Sequence, residues 1–312
     1  MDREEIMDKN FLDPLSVKTS RSEFLWVSKP HPKYPTISIT ENHCDLNCAH
    51  CDGQYLKGMM TVNEPEKLLS VCKDLESEGA KGVLLSGGYN ERGYVPFKPF
   101  IDSIRRVKKE TDLFVSIHPG LMPEGLIKEL GNVGVDEANF DLIGSNDTID
   151  LVLGIDKSIK DYQTVLKTLD KEISNVVPHI CIGLHKGDLR GERRALEIVS
   201  EINPSVLVFL ILNPTTGTEF ESLDPPTPHE VGELIAEARL KFPQLPLSLG
   251  CMRPRGVNRT DFEAQAIKAG VDRIELPTSE TLELAREFGL KTRTLEACCG
   301  VPEEELVGGR FG

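Results

Sequence analysis

The chain is 312 residues long, 39% hydrophobic and 28% charged, with a net charge of −14 at pH 7. That is the composition of a globular protein with room for one large barrel domain or two average ones. The acid excess argues against a nucleic-acid backbone as the main partner, and no apolar run approaches the length that crosses a bilayer, so no membrane is expected either. Eight cysteines follow an opening, Met1-Asp2-Arg3-Glu4-Glu5, that lacks the character of a secretory signal. They point to the cytoplasm, where thiols serve metals or catalysis and not disulfides.

In chain order, residues 1–35 read as a polar N-terminal extension with weak helical turns. In it, Phe24 and Trp26 either plug the base of a barrel or flank the first loop. From Thr36 a strand–loop–helix unit repeats. β-rich runs stand at 36–40, 82–86, 112–117, 136–142, 176–184, 205–212, 245–250 and 271–276, with helical periodicities between them such as Leu68-Leu69-Cys72-Leu75. Cys72, on that apolar stripe, is assigned to packing. Eight alternations over roughly 250 residues predict an α/β fold, a (β/α)8 TIM-type barrel over 36–290, with a doubly wound open sheet as runner-up. Residues 291–312 form a glycine-rich C-terminal tail, expected to fold over the barrel mouth.

Barrels of this kind gather their chemistry at the C-terminal ends of the strands. The first such loop reads Cys44-Asp45-Leu46-Asn47-Cys48-Ala49-His50-Cys51, a C-x3-C-x2-C cluster directly after the β-branched run Thr36–Thr40. Thiolate is the soft ligand that iron–sulfur centres select, and three local ligands would leave one iron of a four-iron cluster open to a small molecule. A structural zinc completed by His43 or His50 is the alternative at this point, in a protein that would then be a zinc-stabilised binding barrel.

A C-x3-C-x2-C cluster after the first strand resembles the signature of the radical S-adenosylmethionine (radical SAM) superfamily. The resemblance implies a [4Fe–4S] cluster on Cys44, Cys48 and Cys51, with S-adenosylmethionine (SAM) chelating the fourth iron. It implies reductive cleavage of SAM to a 5′-deoxyadenosyl radical that takes hydrogen from an unactivated C–H bond, with electrons from a donor such as ferredoxin or flavodoxin. His50 stands where the superfamily places an aromatic ring near the adenine. Ser86-Gly87-Gly88, after the second predicted strand, is similar to the glycine-rich segment that binds the SAM amino group. Tyr89 then intervenes where a glutamate often stands, and Glu91 follows.

Further along, the chain looks like biotin synthase. Asn139 and Asp141 fall on one face of the fourth predicted strand and match the pair that meets the SAM ribose and the substrate. Lys160 stands in place of an arginine that pairs with the SAM carboxylate, and as a point charge it lacks the bidentate fork. Ile211 and Leu212, before the Gly217-Thr218 turn, match the apolar segment flanking adenine, and Cys181 falls on an auxiliary-cluster cysteine. The chain departs from biotin synthase in lacking auxiliary cysteines on the second and third predicted strands. What remains is Cys251 and the adjacent pair Cys298-Cys299, which with Cys181 form the candidate ligand set for a second iron–sulfur cluster sacrificed as a sulfur source. Arg253 and Arg255, with Arg259, are candidates to hold a substrate carboxylate or an acidic carrier. The resemblance extends to biotin-synthase homologues that form one half of a two-protein lipoyl synthase. It therefore implies sulfur insertion into an octanoyl chain on a carrier protein, with a second radical SAM subunit as partner. The enzyme alternative is a single-cluster mutase or cofactor-assembly enzyme of the methylornithine-synthase kind.

Overall fold

The computed structural model describes residues 22–256, 258–306 and 309–311. Eleven strands occur among them: Phe24–Ser28 (β1), Thr36–Ser38 (β2), Met60–Thr61 (β3), Gly82–Ser86 (β4), Phe114–Ile117 (β5), Glu137–Asp141 (β6), Asn175–Ile182 (β7), Leu207–Ile211 (β8), Leu247–Leu249 (β9), Arg273–Glu275 (β10) and Lys291–Leu295 (β11). Nine α-helices alternate with them: Pro65–Ser77 (α1), Ile101–Glu110 (α2), Glu124–Asn132 (α3), Asn146–Leu153 (α4), Ile159–Glu172 (α5), Glu192–Val199 (α6), Pro228–Lys241 (α7), Arg259–Lys268 (α8) and Ser279–Glu287 (α9). No helix of the described residues is long and apolar enough to cross a membrane.

Each of the eight predicted runs overlaps a strand, and all strand pairings are parallel, in the order β11-β1-β10-β9-β8-β7-β6-β5-β4-β2-β3. The eight stand side by side in chain order, which is the TIM-type succession. β1 and β11, from the two flanks of the chain, extend the sheet beyond β10, and β3 extends it beyond β2.

Alternation along each strand divides the apolar residues into two sets. Leu207, Phe209 and Ile211 of β8 join the large outer core with helix residues such as Leu234, Ile235 and Cys72. Cys72 is thus packing, as its stripe implied. Val206, Val208 and Leu210 belong instead to a smaller inner cluster with Val177 and Cys299. Capping is local and legible: Ser158 with Asp161 and Thr227 with Glu230 form capping boxes at the starts of α5 and α7.

The tail does not cover the mouth. After β11 it turns inward, and Leu295, Ala297, Val301, Leu306 and Phe311 pack with Tyr34 and Phe114, residues at the N-terminal ends of β2 and β5. Tyr34 also donates its hydroxyl hydrogen to Ser116 Oγ at 2.8 Å. Five apolar side chains in the tail have no other core to enter, and burying them at the base stabilises this placement. Trp26 packs against the same cluster.

Candidate active site

The cysteine loop leaves β2 at the C-terminal edge of the sheet and is tied down on three sides. Asp45 N–H donates to Tyr89 O at 2.8 Å, Ala49 N–H to Val152 O at 2.9 Å, and Phe220 N–H to Ala49 O at 3.1 Å. Cys44 Sγ accepts a hydrogen bond from Tyr89 N–H at 3.3 Å. Burial pushes the Cys48 thiol up to about 12, with Cys51 and Cys44 adding to it, and pushes Cys51 up to about 11. Without a cation the loop therefore holds thiols, and a positively charged iron centre would reverse that preference. Among the described residues no three His, Cys, Asp or Glu side chains already converge as a metal-holding group. The donors are soft and close enough to perturb one another, which suits them chemically to an iron–sulfur cluster.

The glycine pair after β4 backs directly onto this loop. A Cβ on Gly88 would lie 2.0 Å from His43 O and 2.6 Å from Cys44 Cα, and one on Gly87 2.8 Å from Thr40 Oγ1. Gly88 N–H donates to Thr40 Oγ1 at 2.7 Å, and that hydroxyl in turn donates to His43 O at 3.0 Å. Glycine is needed at 88 because only backbone can yield there. Gly88→Ala is expected to cost about 1–3 kcal/mol of stability and to lower the iron retained after anaerobic reconstitution, measured by chemical denaturation and iron assay.

Inside the sheet, polar side chains form a column beneath the loop. His50 Nδ1 is buried without a partner, and burial lowers the ring's pKa to about 4, so it is a neutral imidazole at pH 7. His118 and His179 meet edge to face with centroids 5.5 Å apart. Both are shifted down by burial, His179 to about 4, while Asp141 pulls the other way. Neither histidine stood out in the sequence. His118 immediately follows a buried strand, and His179 shares an inner strand face with Cys181, which are the signals that would have found them.

Lower in the column lie Glu137, Asn139, Ser248 and Arg273, all buried. Burial raises the Glu137 carboxyl from 4.5 to about 8, against the opposing effects of Asn139 and Arg273. A carboxyl neutral in the fold and ionised in the unfolded chain destabilises the fold progressively as pH rises from about 4.5 to about 8, by a few kcal/mol in all. Below 4.5 the effect is absent, and above 8 it is constant. Urea midpoints of wild type relative to Glu137→Gln are expected to fall between pH 5 and pH 8.

The model for the family described as "Radical SAM superfamily" matches residues 38–198, more than half of the chain. The chain belongs to the radical SAM superfamily. As a radical SAM enzyme it uses a [4Fe–4S] cluster and SAM, and it needs an electron donor. It is similar to the biotin synthase of Prochlorococcus marinus, at 25% identity over 274 residues covering 81% of this chain and 80% of that one. Among solved structures its fold is similar to methylornithine synthase, with a TM-score of 0.63 and 17% identity over 94% of this chain and 91% of the other. It is also similar to HydG, a maturase of the [FeFe]-hydrogenase, with a TM-score of 0.67 and 14% identity over 100% and 72%.

Within this radical SAM fold several residues lie elsewhere than expected. Arg253 is 1% exposed, donating to Glu263 Oε1 at 2.7 Å and to Gly250 O at 2.7 Å. Its guanidinium is occupied inside the protein and cannot serve a substrate carboxylate. Arg259 is likewise held by Glu263 at 2.8 Å, whereas Arg255 is 54% exposed and held more loosely, by Cys251 O at 3.3 Å and Glu275 Oε2 at 3.9 Å. Ile211 and Leu212 are buried in the outer core, so neither offers a face to adenine. Alternation sends Ile211 outward because Leu210 points inward. Asn139 donates to Glu137 Oε1 at 2.9 Å, and its Oδ1 sits against Gly300. It lies two residues, roughly 6.6 Å of strand rise, below Asp141, and in this structure only Asp141 of the pair is exposed. Ser86 is half-buried and Lys160 exposed at the start of α5. His43, the alternative zinc ligand, meets Asp45 at the surface at 2.8 Å.

Three of the remaining cysteines meet one inner apolar cluster. Cys299 is buried in that cluster, and Cys181 and Cys298, both half-buried, pack against it. Cys251 is exposed. Arg273 holds the tail turn by donating to Cys299 O at 3.2 Å and also to Val301 O.

Proposed function

We propose that Cys44, Cys48 and Cys51 ligate the [4Fe–4S] cluster and that the enzyme inserts sulfur into an unactivated C–H bond. In this reading a second iron–sulfur cluster, held by Cys181, Cys251, Cys298 and Cys299, is the sulfur source. The observation that carries it is that Cys299 is buried in the inner apolar cluster while Cys181 and Cys298, both half-buried, pack against that same cluster, so that three thiols on one small cluster offer the soft donors that iron–sulfur centres select.

When bound, the reduced cluster and SAM supply the hydrogen-abstracting radical. The protein's own part is orientation and exclusion of water. The Ser86–Gly88 backbone holds the amino group of SAM, and Lys160 attracts its carboxylate. Asp141 accepts hydrogen bonds from the ribose, and neutral His50 offers an apolar ring face to adenine. Arg255 receives the anionic part of the substrate.

The substrate best matching the departures from biotin synthase is an octanoyl chain on a carrier protein, as in a two-protein lipoyl synthase, with a second radical SAM subunit, a ferredoxin or flavodoxin donor and a cytoplasmic setting. Anaerobic reconstitution followed by incubation with SAM, reductant and octanoylated carrier protein tests this. About eight irons per chain and a carrier mass gain of one sulfur support it. About four irons, with 5′-deoxyadenosine and no mass gain, would assign the chain to single-cluster chemistry of the mutase kind.

A further inference from the structure

Histidine 179 occupies a position between the two halves of the site. On the inner face of β7 it lies two residues from Val177 and two from Cys181; Val177 belongs to the apolar cluster of Cys299, and Cys181 and Cys298 pack against that cluster. The tail approaches this face closely: a Cβ on Gly300 would lie 3.0 Å from Val177 Cγ1. The strands on either side agree. His179 is in register with Val208 of β8, which also packs with Cys299, and with Asp141 of β6. The imidazole is therefore bracketed on its own strand and on its β8 side by residues in the apolar cluster of the tail cysteines, while Asp141 stands on its other side. Its ring orientation is fixed as well. Nδ1 donates to Val177 O at 3.0 Å, so that in the neutral ring Nε2 is the nitrogen with the free lone pair. A backbone carbonyl holding one imidazole N–H while the other nitrogen is left as a lone pair is the arrangement that metal-ligating histidines adopt.

We propose that His179 is a nitrogen ligand of the second iron–sulfur cluster, binding through Nε2 beside the cysteines of β7 and the tail. The inference rests on the reading that a second cluster exists and adds to it a ligand that no cysteine count reveals. Mixed cysteine–histidine ligation raises the reduction potential of a cluster relative to all-cysteine ligation. The test is pulsed EPR of the reconstituted, reduced full chain, without SAM so that the methionine amine contributes no nitrogen. Unlabelled protein is compared with protein carrying nitrogen-15 histidine. The expected result is a directly coordinated nitrogen whose coupling changes with the label. In His179→Cys, which keeps a ligand at the position, the coupling is expected to disappear, iron to stay near eight per chain and the reduction potential to fall. Eight irons without such a coupling, or a coupling that survives in His179→Cys, overturns the assignment while leaving the second cluster standing. About four irons in the wild type overturns the cluster reading and the inference together.

Discussion

Replacing Cys44, Cys48 and Cys51 together with alanine is expected to remove about four irons per chain and to abolish formation of 5′-deoxyadenosine from SAM. The far-UV circular dichroism should remain close to that of wild type, because the loop's backbone ties to Tyr89, Val152 and Phe220 do not involve the sulfurs of Cys48 or Cys51. Loss of activity as such would not single out ligation. Loss of iron together with loss of the radical product, in a folded chain, does. Retention of both in the triple variant would end the reading of the loop as the cluster site. Single replacements are expected to behave almost as the triple does, because three local thiolates are the smallest set that fixes a cubane with one open corner.

The second large effect concerns stability. Glu263, fully buried, accepts from Arg253 Nη2 at 2.7 Å, Arg259 Nε at 2.8 Å, Thr278 N–H at 2.8 Å and Thr281 Oγ1 at 2.7 Å. These bonds join the loop after β9, helix α8 and the start of α9 around one carboxylate, whose pKa is lowered by Thr278 and Arg253 in spite of burial. Glu263→Ala removes the nearest carboxylate from the buried Arg253 guanidinium and leaves it the more distant Glu275 Oε2 at 3.5 Å and the carbonyl oxygens of Gly250 and Glu275. It is expected to cost about 3–5 kcal/mol, read as a fall in the urea midpoint. Arg255→Ala, at an exposed position, is expected to change stability by less than about 0.5 kcal/mol and to act on substrate affinity instead. The pair of variants separates a structural arginine from a functional one two residues away. If Arg253→Ala raised KM for the substrate with unchanged stability, the clamp described here would be wrong.

Arg253 illustrates what could and could not be read in advance. Its position after the seventh predicted strand was legible, and so was the general rule that such positions face the active end. Its partners were not, because Glu263 lies ten residues on and Glu275 twenty-two, and no local pattern says which carboxylates a folded chain will bring to it. Ile211 and Leu212 were misplaced for a related reason. The phase of a five-residue apolar strand such as Leu207–Ile211 is invisible when every residue in it is buried, so inward and outward faces are set only by the neighbours on β7 and β9. Asn139 was read on one face with Asp141, but its burial against Glu137 and beside Gly300 could not be read, because it depends on where the tail lies.

By itself, then, the amino-acid order determined the succession of eight strands and their helices, the thiol loop and the glycine pair that backs it. All of these follow from periodicity and spacing over a few residues, where backbone geometry leaves little choice. Only the tertiary structure decided that the tail enters the base and not the mouth, that Cys299 is buried in an inner cluster against which Cys181 and Cys298 pack, and that His118 and His179 meet in the interior. Those facts join residues far apart in the chain, and the burial of apolar surface that brings them together depends on the whole assembled sheet and not on any segment of it.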